Sequence, residues 1–176
     1  MYDDQRTLWG RTLVAGAGTQ TTPLTARAYD QDQPEFCLRV PAGTGIWLYR
    51  LEVQFEAYAG TDNEIIVWTT TNDVGSGTST VADETPSATN GLSTIAGNCT
   101  ARQLYTANLT LTNYREVWRG GNPHADLAPA NHRFPAAGDP WVYVAGAGTL
   151  GVQIAGTSTQ PTFYLKAYWV EVNAQS

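Results

Sequence analysis

IWLYRLEVQFEAY, residues 46–58, alternates apolar and polar side chains over most of its length. Its odd-numbered positions carry the apolar set Trp47, Tyr49, Leu51, Val53, Phe55 and Ala57. Arg50, Glu52, Gln54 and Glu56 occupy even-numbered positions. Because successive side chains of a strand point to opposite faces, the pattern predicts a long strand with one apolar and one charged face. We expect the odd-numbered side chains to face a core.

A second long strand is predicted near the C-terminus, at residues 162–172, which read TFYLKAYWVEV. Phe163, Leu165, Ala167 and Trp169 share its apolar face, and Tyr164, Lys166 and Tyr168 share the other face. Val170 and Val172 flank Glu171, which indicates a β-bulge near Trp169. Two amphipathic strands of this kind need a second layer to cover their apolar faces. The pattern therefore predicts a β-sandwich.

The rest of the chain reads as short strands separated by glycine-rich turns. Residues 64–71 (EIIVWTTT) carry apolar side chains on both faces, and residues 103–112 alternate again. About eight strands with no helical pattern predict an all-β, antiparallel β-sandwich that is jelly-roll-like. We expect residues 1–10 to form an N-terminal arm and residues 11–176 a single domain. Residues 72–101 and 120–140 are predicted to be two long loops.

Composition restricts the function of the 176-residue chain. Charged residues make up 15%, against roughly 25% in an average soluble domain, and such a surface suits a protein that partners largely cover. The net charge of −6 and the single lysine, Lys166, argue against binding of nucleic acid. No apolar run is long enough to span a membrane. The acidic N-terminus does not resemble a secretory signal, so we expect synthesis in the cytoplasm.

The residues with chemical potential are few and scattered. Cys37 and Cys99 are too few for a disulfide framework, and we expect them to stay unpaired. Oxygen-rich turns contain Asp30, Asp32 and Glu35, and also Asp62, Asn63 and Glu64, but their spacing is not that of a calcium loop. His124 and His132 lie in the second loop without the spacing of a zinc site. We predict no metal, no cofactor and no enzymatic activity.

Aromatic and basic side chains are the better candidates for a binding site. Tyr164 and Tyr168 are predicted to face outward from the last strand, and Trp and Tyr are enriched where proteins meet partners. The second loop and the residue just before it add further predicted partner contacts: Arg119, Arg133, His124 and His132. Exposed aromatic rings also suit sugar binding, so a carbohydrate-binding module remains an alternative.

IWLYRLEVQFEAY, the linker VGSGTST at residues 74–80 and the ending QPTFYLKAYWVEV resemble β-sandwich structural proteins of freshwater tailed bacteriophages. The nearest group is that of the capsid cement or decoration proteins, and the resemblance spans residues 36–172. It implies a virion structural protein on the capsid exterior that binds the major capsid protein and copies of itself, as a homotrimer or homodimer. It supplies no catalytic residues. A single jelly-roll capsid shell protein and a tail or fibre domain are the alternatives.

Overall fold

The computed structural model describes residues 12–57, 63–75, 86–88, 97–122, 130–133, 142–156 and 160–174. The side chains of residues 57, 87–88, 122 and 130–133 fall outside that description. The predicted N-terminal arm, residues 1–10, also lies outside the described residues, as do parts of both predicted loops.

The described residues form twelve strands and no helix, so none of them belongs to a helix that could cross a membrane. The strands are β1 (Thr12–Ala17), β2 (Leu24–Thr25), β3 (Phe36–Val40), β4 (Thr44–Ala57), β5 (Asn63–Thr70), β6 (Ser87–Ala88), β7 (Thr100–Gln103), β8 (Arg115–Asn122), β9 (Ala130–Arg133), β10 (Val142–Ala145), β11 (Gly148–Gly156) and β12 (Thr162–Asn173). The longest two, β4 and β12, are the two that the alternation predicts.

The strands build two antiparallel sheets. Sheet 1 has the order β10-β4-β12-β1-β6, with β2 added beside β12 and β9 beside β4. Sheet 2 has the order β7-β3-β11-β5-β8. The apolar side chains between the sheets form one continuous core.

Eight of the strands are paired as a jelly roll. Taken in chain order as β1, β3, β4, β5, β8, β10, β11 and β12, the first pairs with the last, the second with the seventh, the third with the sixth and the fourth with the fifth. This nested pairing, with four strands in each sheet, is that of the jelly roll. The predicted all-β antiparallel sandwich is therefore confirmed. The other four strands, two to four residues each, lie in the connections.

The core contains the residues that the alternation places there. Leu51, Val53, Phe55, Leu165 and Trp169 are each no more than 2% exposed, as predicted. Strand β5 is buried on both faces, also as predicted: Ile65 and Val67 belong to the core between the sheets, and Ile66 and Trp68 belong to a second cluster.

The predicted bulge near Trp169 is confirmed, because the register between β12 and β4 shifts between Tyr168 and Trp169. The predicted slip of phase within β12 is wrong. The side chains of β12 keep strict alternation from Phe163 to Val172, and Glu171 points inward and is buried. Its carboxylate accepts hydrogen bonds from the backbone N–H groups of Asn98 (2.9 Å) and Cys99 (3.1 Å) and from the Trp169 indole (3.4 Å). These donors satisfy the buried charge, which an alternation pattern cannot anticipate.

The predicted strand at residues 103–112 is also wrong. The ladder with β3 ends at Gln103, because Leu104 adopts a positive φ of 50° and turns the chain out of the sheet. Residues 104–114, called the cover segment below, then cross the outer face of sheet 2. Tyr105 and Leu109 pack there against Cys37, Ile66 and Trp68.

The two cysteines are free, buried thiols. Cys37 lies under the cover segment on the outer face of sheet 2, whereas Cys99 belongs to the core between the sheets. Burial raises the pKa of both thiols. Neither is positioned to react or to pair with the other.

Candidate functional site

The outer faces of the two sheets differ in what covers them. On sheet 2 the cover segment closes the outer face, and Glu35, Cys37, Ile66, Trp68 and Gln153 are no more than 1% exposed there. On sheet 1 the outward residues of β4 and β12 are half-buried or exposed. In the described part of the chain, the outer face of sheet 1 is therefore the large accessible surface, and we call it the open face.

A β-bulge in β4 places two unexpected aromatic rings on the open face. Tyr168 pairs with Arg50 and Trp169 pairs with Leu48, so Tyr49 is the extra residue. Ile46 and Leu48 point into the core before the bulge, and Leu51 and Val53 do so after it. The predicted inward position of Trp47 and Tyr49 is therefore wrong. The bulge lets the aliphatic residues on both sides of it reach the core.

Trp47 packs against Tyr143 of β10 at one end of the open face. Their ring centroids are 4.6 Å apart, and Tyr143 is 36% exposed. Gly45 permits this arrangement, since a Cβ atom there would lie 2.4 Å from the Tyr143 hydroxyl. A shallow pocket of about 250 Å³ is lined by these two rings with Val172 and Asn173. A second pocket, of about 270 Å³, lies against Tyr143 and is also lined by residues 69–71 and 144–147.

Tyr168 is held in the middle of the open face by charged neighbours. Its hydroxyl donates to Glu52 Oε2 at 2.8 Å, and the Arg50 guanidinium carbon lies 5.2 Å from the ring centroid. Arg50 also donates to Glu52, and the Tyr49 ring lies 6.1 Å from the Tyr168 ring. Burial, followed by the hydrogen bond to Glu52, raises the pKa of Tyr168 to about 12. The ring is thus fixed before any partner arrives.

The six predicted contact residues do not form one site. Tyr164 and Tyr168 lie half-buried on the outer side of β12, as the alternation predicts. Arg119 lies in sheet 2, where its guanidinium pairs with Glu116 and Glu64, both at 2.7 Å. The backbones of His132 and Arg133 lie in β9, beside β4, but their side chains fall outside the described residues, as does all of His124. Their predicted partner contacts remain predictions.

Two of the carboxylates in the oxygen-rich turns accept hydrogen bonds from the backbone of the chain itself. Glu35 is fully buried, and its Oε2 accepts a hydrogen bond from the N–H of Ile154 at 3.0 Å. Asp30 Oδ1 accepts from the N–H of Asp32 within its own turn. Among the described residues, no three His, Cys, Asp or Glu side chains are grouped as metal ligands would be. The described part of the open face presents mainly aromatic rings and the charged side chains that hold them.

Trp47, Tyr49 and Tyr143 are the residues of the open face that sequence reasoning missed. The alternation of β4 assigns the first two to the core, and a bulge reverses that assignment. One signal was available: Ile46 and Leu48 supply a second aliphatic pair in the opposite phase to Leu51 and Val53.

No protein-family model matches the chain, and no curated protein matches it either.

Proposed function

We propose that the chain is a virion structural protein that binds and stabilises the capsid shell of a tailed bacteriophage, as a cement or decoration protein. The observation that carries the proposal is the open face: rigid aromatic rings, left accessible on one sheet while the chain closes the outer face of the other sheet. Its partners are the major capsid protein and further copies of the chain. Its place is the capsid exterior.

The chemistry of the open face supports a protein partner. Tyr, Trp and Arg are enriched at the centres of protein interfaces, where they supply most of the binding free energy. Trp47, Tyr143, Tyr168 and Arg50 are of these types, and they form two contacting pairs, Trp47 with Tyr143 and Tyr168 with Arg50. Because their side chains are partly fixed in the free protein, little conformational entropy is lost when a partner packs on them.

The fold and composition are consistent with the same role. Jelly rolls occur in viral capsid domains and in lectins, so the topology admits this function without requiring it. A charged fraction of only 15% suits a chain whose surface is covered in an assembly. The resemblance of residues 36–172 to phage structural proteins is the reason for proposing a capsid, and a tail or fibre domain is the alternative.

Carbohydrate binding is the second candidate function, and the pocket beside Trp47 and Tyr143 favours it. Aromatic rings next to an amide such as that of Asn173 form the kind of surface on which a sugar stacks and makes hydrogen bonds. A carbohydrate-binding module would bind a saccharide as an isolated domain. A cement protein would bind its particle and leave a saccharide panel unbound.

We expect Trp47→Ala to weaken attachment to capsids by about tenfold or more, the effect of losing one interface hot spot. Tyr143→Ala should act in the same direction. The measurement is the fraction of chain that sediments with capsids lacking it, over a range of concentrations. Tyr29→Ala is the matched control, because Tyr29 is 48% exposed but lies outside the open face, in the connection between β2 and β3.

The outcome separates the two candidate functions. If Trp47→Ala lowers capsid attachment and Tyr29→Ala does not, the open face is the capsid-binding surface. Equal attachment of wild type and both open-face variants would contradict the proposal. Saccharide binding that disappears in Trp47→Ala, without capsid binding by the wild type, would assign the face to a carbohydrate-binding module.

A further inference from the structure

Arg27 ties together two segments that lie outside the sheets. It belongs to residues 26–35, the connection that leads from β2 to β3. Its Nη2 donates to the carbonyl oxygens of Gln33 (3.0 Å) and Pro34 (3.4 Å) in the same connection. Its Nη1 donates to the carbonyl oxygen of Tyr105 in the cover segment. One guanidinium thus joins the connection to the cover segment.

Glu35 is the carboxylate beside that guanidinium. Its Oε1 lies 3.5 Å from Arg27 Nε, beyond a good hydrogen bond, and accepts no hydrogen bond from the described residues. Its Oε2 accepts from the N–H of Ile154 in β11. Glu35 is fully buried, whereas the Arg27 side chain is 30% exposed. The acid is therefore removed from water with incomplete compensation for its charge.

The cover segment depends on the connection for its hydrogen bonds. The N–H groups of Leu104, Tyr105 and Leu109 donate to the carbonyl oxygens of Glu35 (2.9 Å), Pro34 (3.2 Å) and Asp32 (2.9 Å). The far end of the segment is tied to Asn72, whose side chain bonds to the backbone of Thr110 and Thr112.

Two residues with positive φ bound the cover segment, Leu104 at 50° and Asn113 at 53°. Such corners are unfavourable for a leucine and occur where the surrounding contacts hold them. The chain thus turns sharply near both ends of the cover segment. Between these two turns the segment is hydrogen-bonded to the connection.

Burial raises the pKa of Glu35 to about 7, against the opposing effects of the Ile154 N–H and the Arg27 charge. Strand β11, which packs against Glu35, contributes the uncharged Gln153, whose amide donates to the carbonyl of Asp30. The other titratable or charged groups on the surrounding elements are Tyr29, Asp30 and Asp32 in the connection, Cys37 and Arg39 on β3, Arg102 on β7, and Tyr105 and Tyr114 on the cover segment.

We propose that Arg27 and Glu35 form a pH-sensitive clamp, which holds the cover segment closed in mild acid and loosens it as the pH rises towards neutrality. The clamp is a conformational device of the fold and does not depend on the proposed function.

The direction follows from proton linkage. Glu35 is protonated in the closed form up to about pH 7, whereas a hydrated glutamate loses its proton near pH 4.5. Between pH 4.5 and pH 7 the closed form therefore binds one proton more than the open form. The free energy that this proton contributes to closure is fully present below pH 4.5 and is lost as the pH rises through 7. Opening should become easier by about tenfold per pH unit within this window and level off above it.

The test is amide hydrogen exchange of the full chain, measured by NMR between pH 5 and pH 8 and corrected for intrinsic exchange rates. We expect the protection factors of Leu104, Tyr105 and Leu109 to fall by about tenfold per pH unit up to pH 7. The amides of Val53 and Leu165 in sheet 1 are the internal reference. Global unfolding also hydrates Glu35 and has the same pH dependence, so their protection factors are expected to stay well above those of the cover segment at every pH. Equal protection factors at all five amides would overturn the clamp, because they would show that the cover segment opens only by global unfolding.

Glu35→Gln removes the titration and is the matched variant. Its cover-segment protection should not change with pH between 5 and 8, and retention of the wild-type slope would contradict the proposal. Arg27→Gln gives a second test, since loss of the neighbouring cation should move the loosening to higher pH. If the cover segment of Arg27→Gln loosens over the same pH range as in the wild type, Arg27 and Glu35 do not act as the clamp. The comparison of cover-segment and sheet 1 amides in the wild type tests the proposal even if a variant fails to fold.

Discussion

We expect Val53→Asp to abolish folding. Val53 lies at the centre of β4, is 1% exposed and packs in the core between the sheets, opposite Leu165 of β12. A carboxylate at this position would lose its hydration without gaining a partner, which costs several kcal/mol or more. A domain of this size has only about 5–15 kcal/mol of stability to lose. Circular dichroism and the soluble yield of the expressed chain would report the loss.

Gln54→Asp is the control for this substitution. It introduces the same side chain one residue further along β4, where alternation places it half-buried on the open face. There the carboxylate stays hydrated, and we expect a folded protein with a change in the free energy of unfolding below about 1 kcal/mol. A soluble, cooperatively melting Val53→Asp protein would show that β4 does not face the core in this phase.

The second large effect is expected for Trp68→Ala. Trp68 is fully buried in the cluster under the cover segment, with its ring 5.7 Å from that of Tyr114. The ring lies against Gly151 of β11, where a Cβ atom would be 2.1 Å from the nearest ring atom. Removing a buried tryptophan costs about 3–5 kcal/mol. Urea denaturation should show this loss in the free energy of unfolding.

Trp47→Ala is the matched control, because it removes the same side chain from the half-buried surface of sheet 1. It should cost less than half as much stability as Trp68→Ala, since less apolar area leaves contact with the protein. Similar losses for the two variants would contradict the distinction between a closed face and an open face. A small loss for Trp47→Ala also ensures that its capsid-attachment result reports binding.

The alternation of residues 51–55 and 163–169 was sufficient to predict the sandwich and its central core. These residues alternate without interruption, and burial in a two-layer fold follows directly from that period. The nested pairing of strands could not be predicted from these patterns, because it depends on contacts between residues far apart in the chain. Strands β10 and β11, for example, are neighbours in sequence but belong to different sheets.

The errors have identifiable physical causes. The phase of Trp47 and Tyr49 depends on a one-residue bulge, and a bulge is visible only against the partner strand. The role of the cover segment depends on Leu104, whose positive φ has no sequence signal comparable to a glycine. Glu171 reads as an outward residue because its hydrogen-bond donors, at residues 98–99, lie more than seventy positions away.

For similar reasons, the positions of the candidate site residues could be predicted only in part. Tyr164 and Tyr168 were predicted correctly to face outward, because β12 keeps its period throughout. Tyr143 could not be linked to them, since its position depends on the pairing of β10 with β4 and on Gly45 beneath its ring. Arg119 was chosen as a partner contact, but its charge is already paired with Glu116 and Glu64 within the chain.

The capsid-binding proposal requires that a tailed phage encodes the chain. Its most direct test is quantitative mass spectrometry of intact particles of that phage. The account predicts that the chain is present in a fixed ratio to the major capsid protein and remains on capsids from which the tails have been removed. It further predicts that selective loss of the chain leaves the shell assembled but less resistant to heat. Absence of the chain from purified capsids would contradict the account.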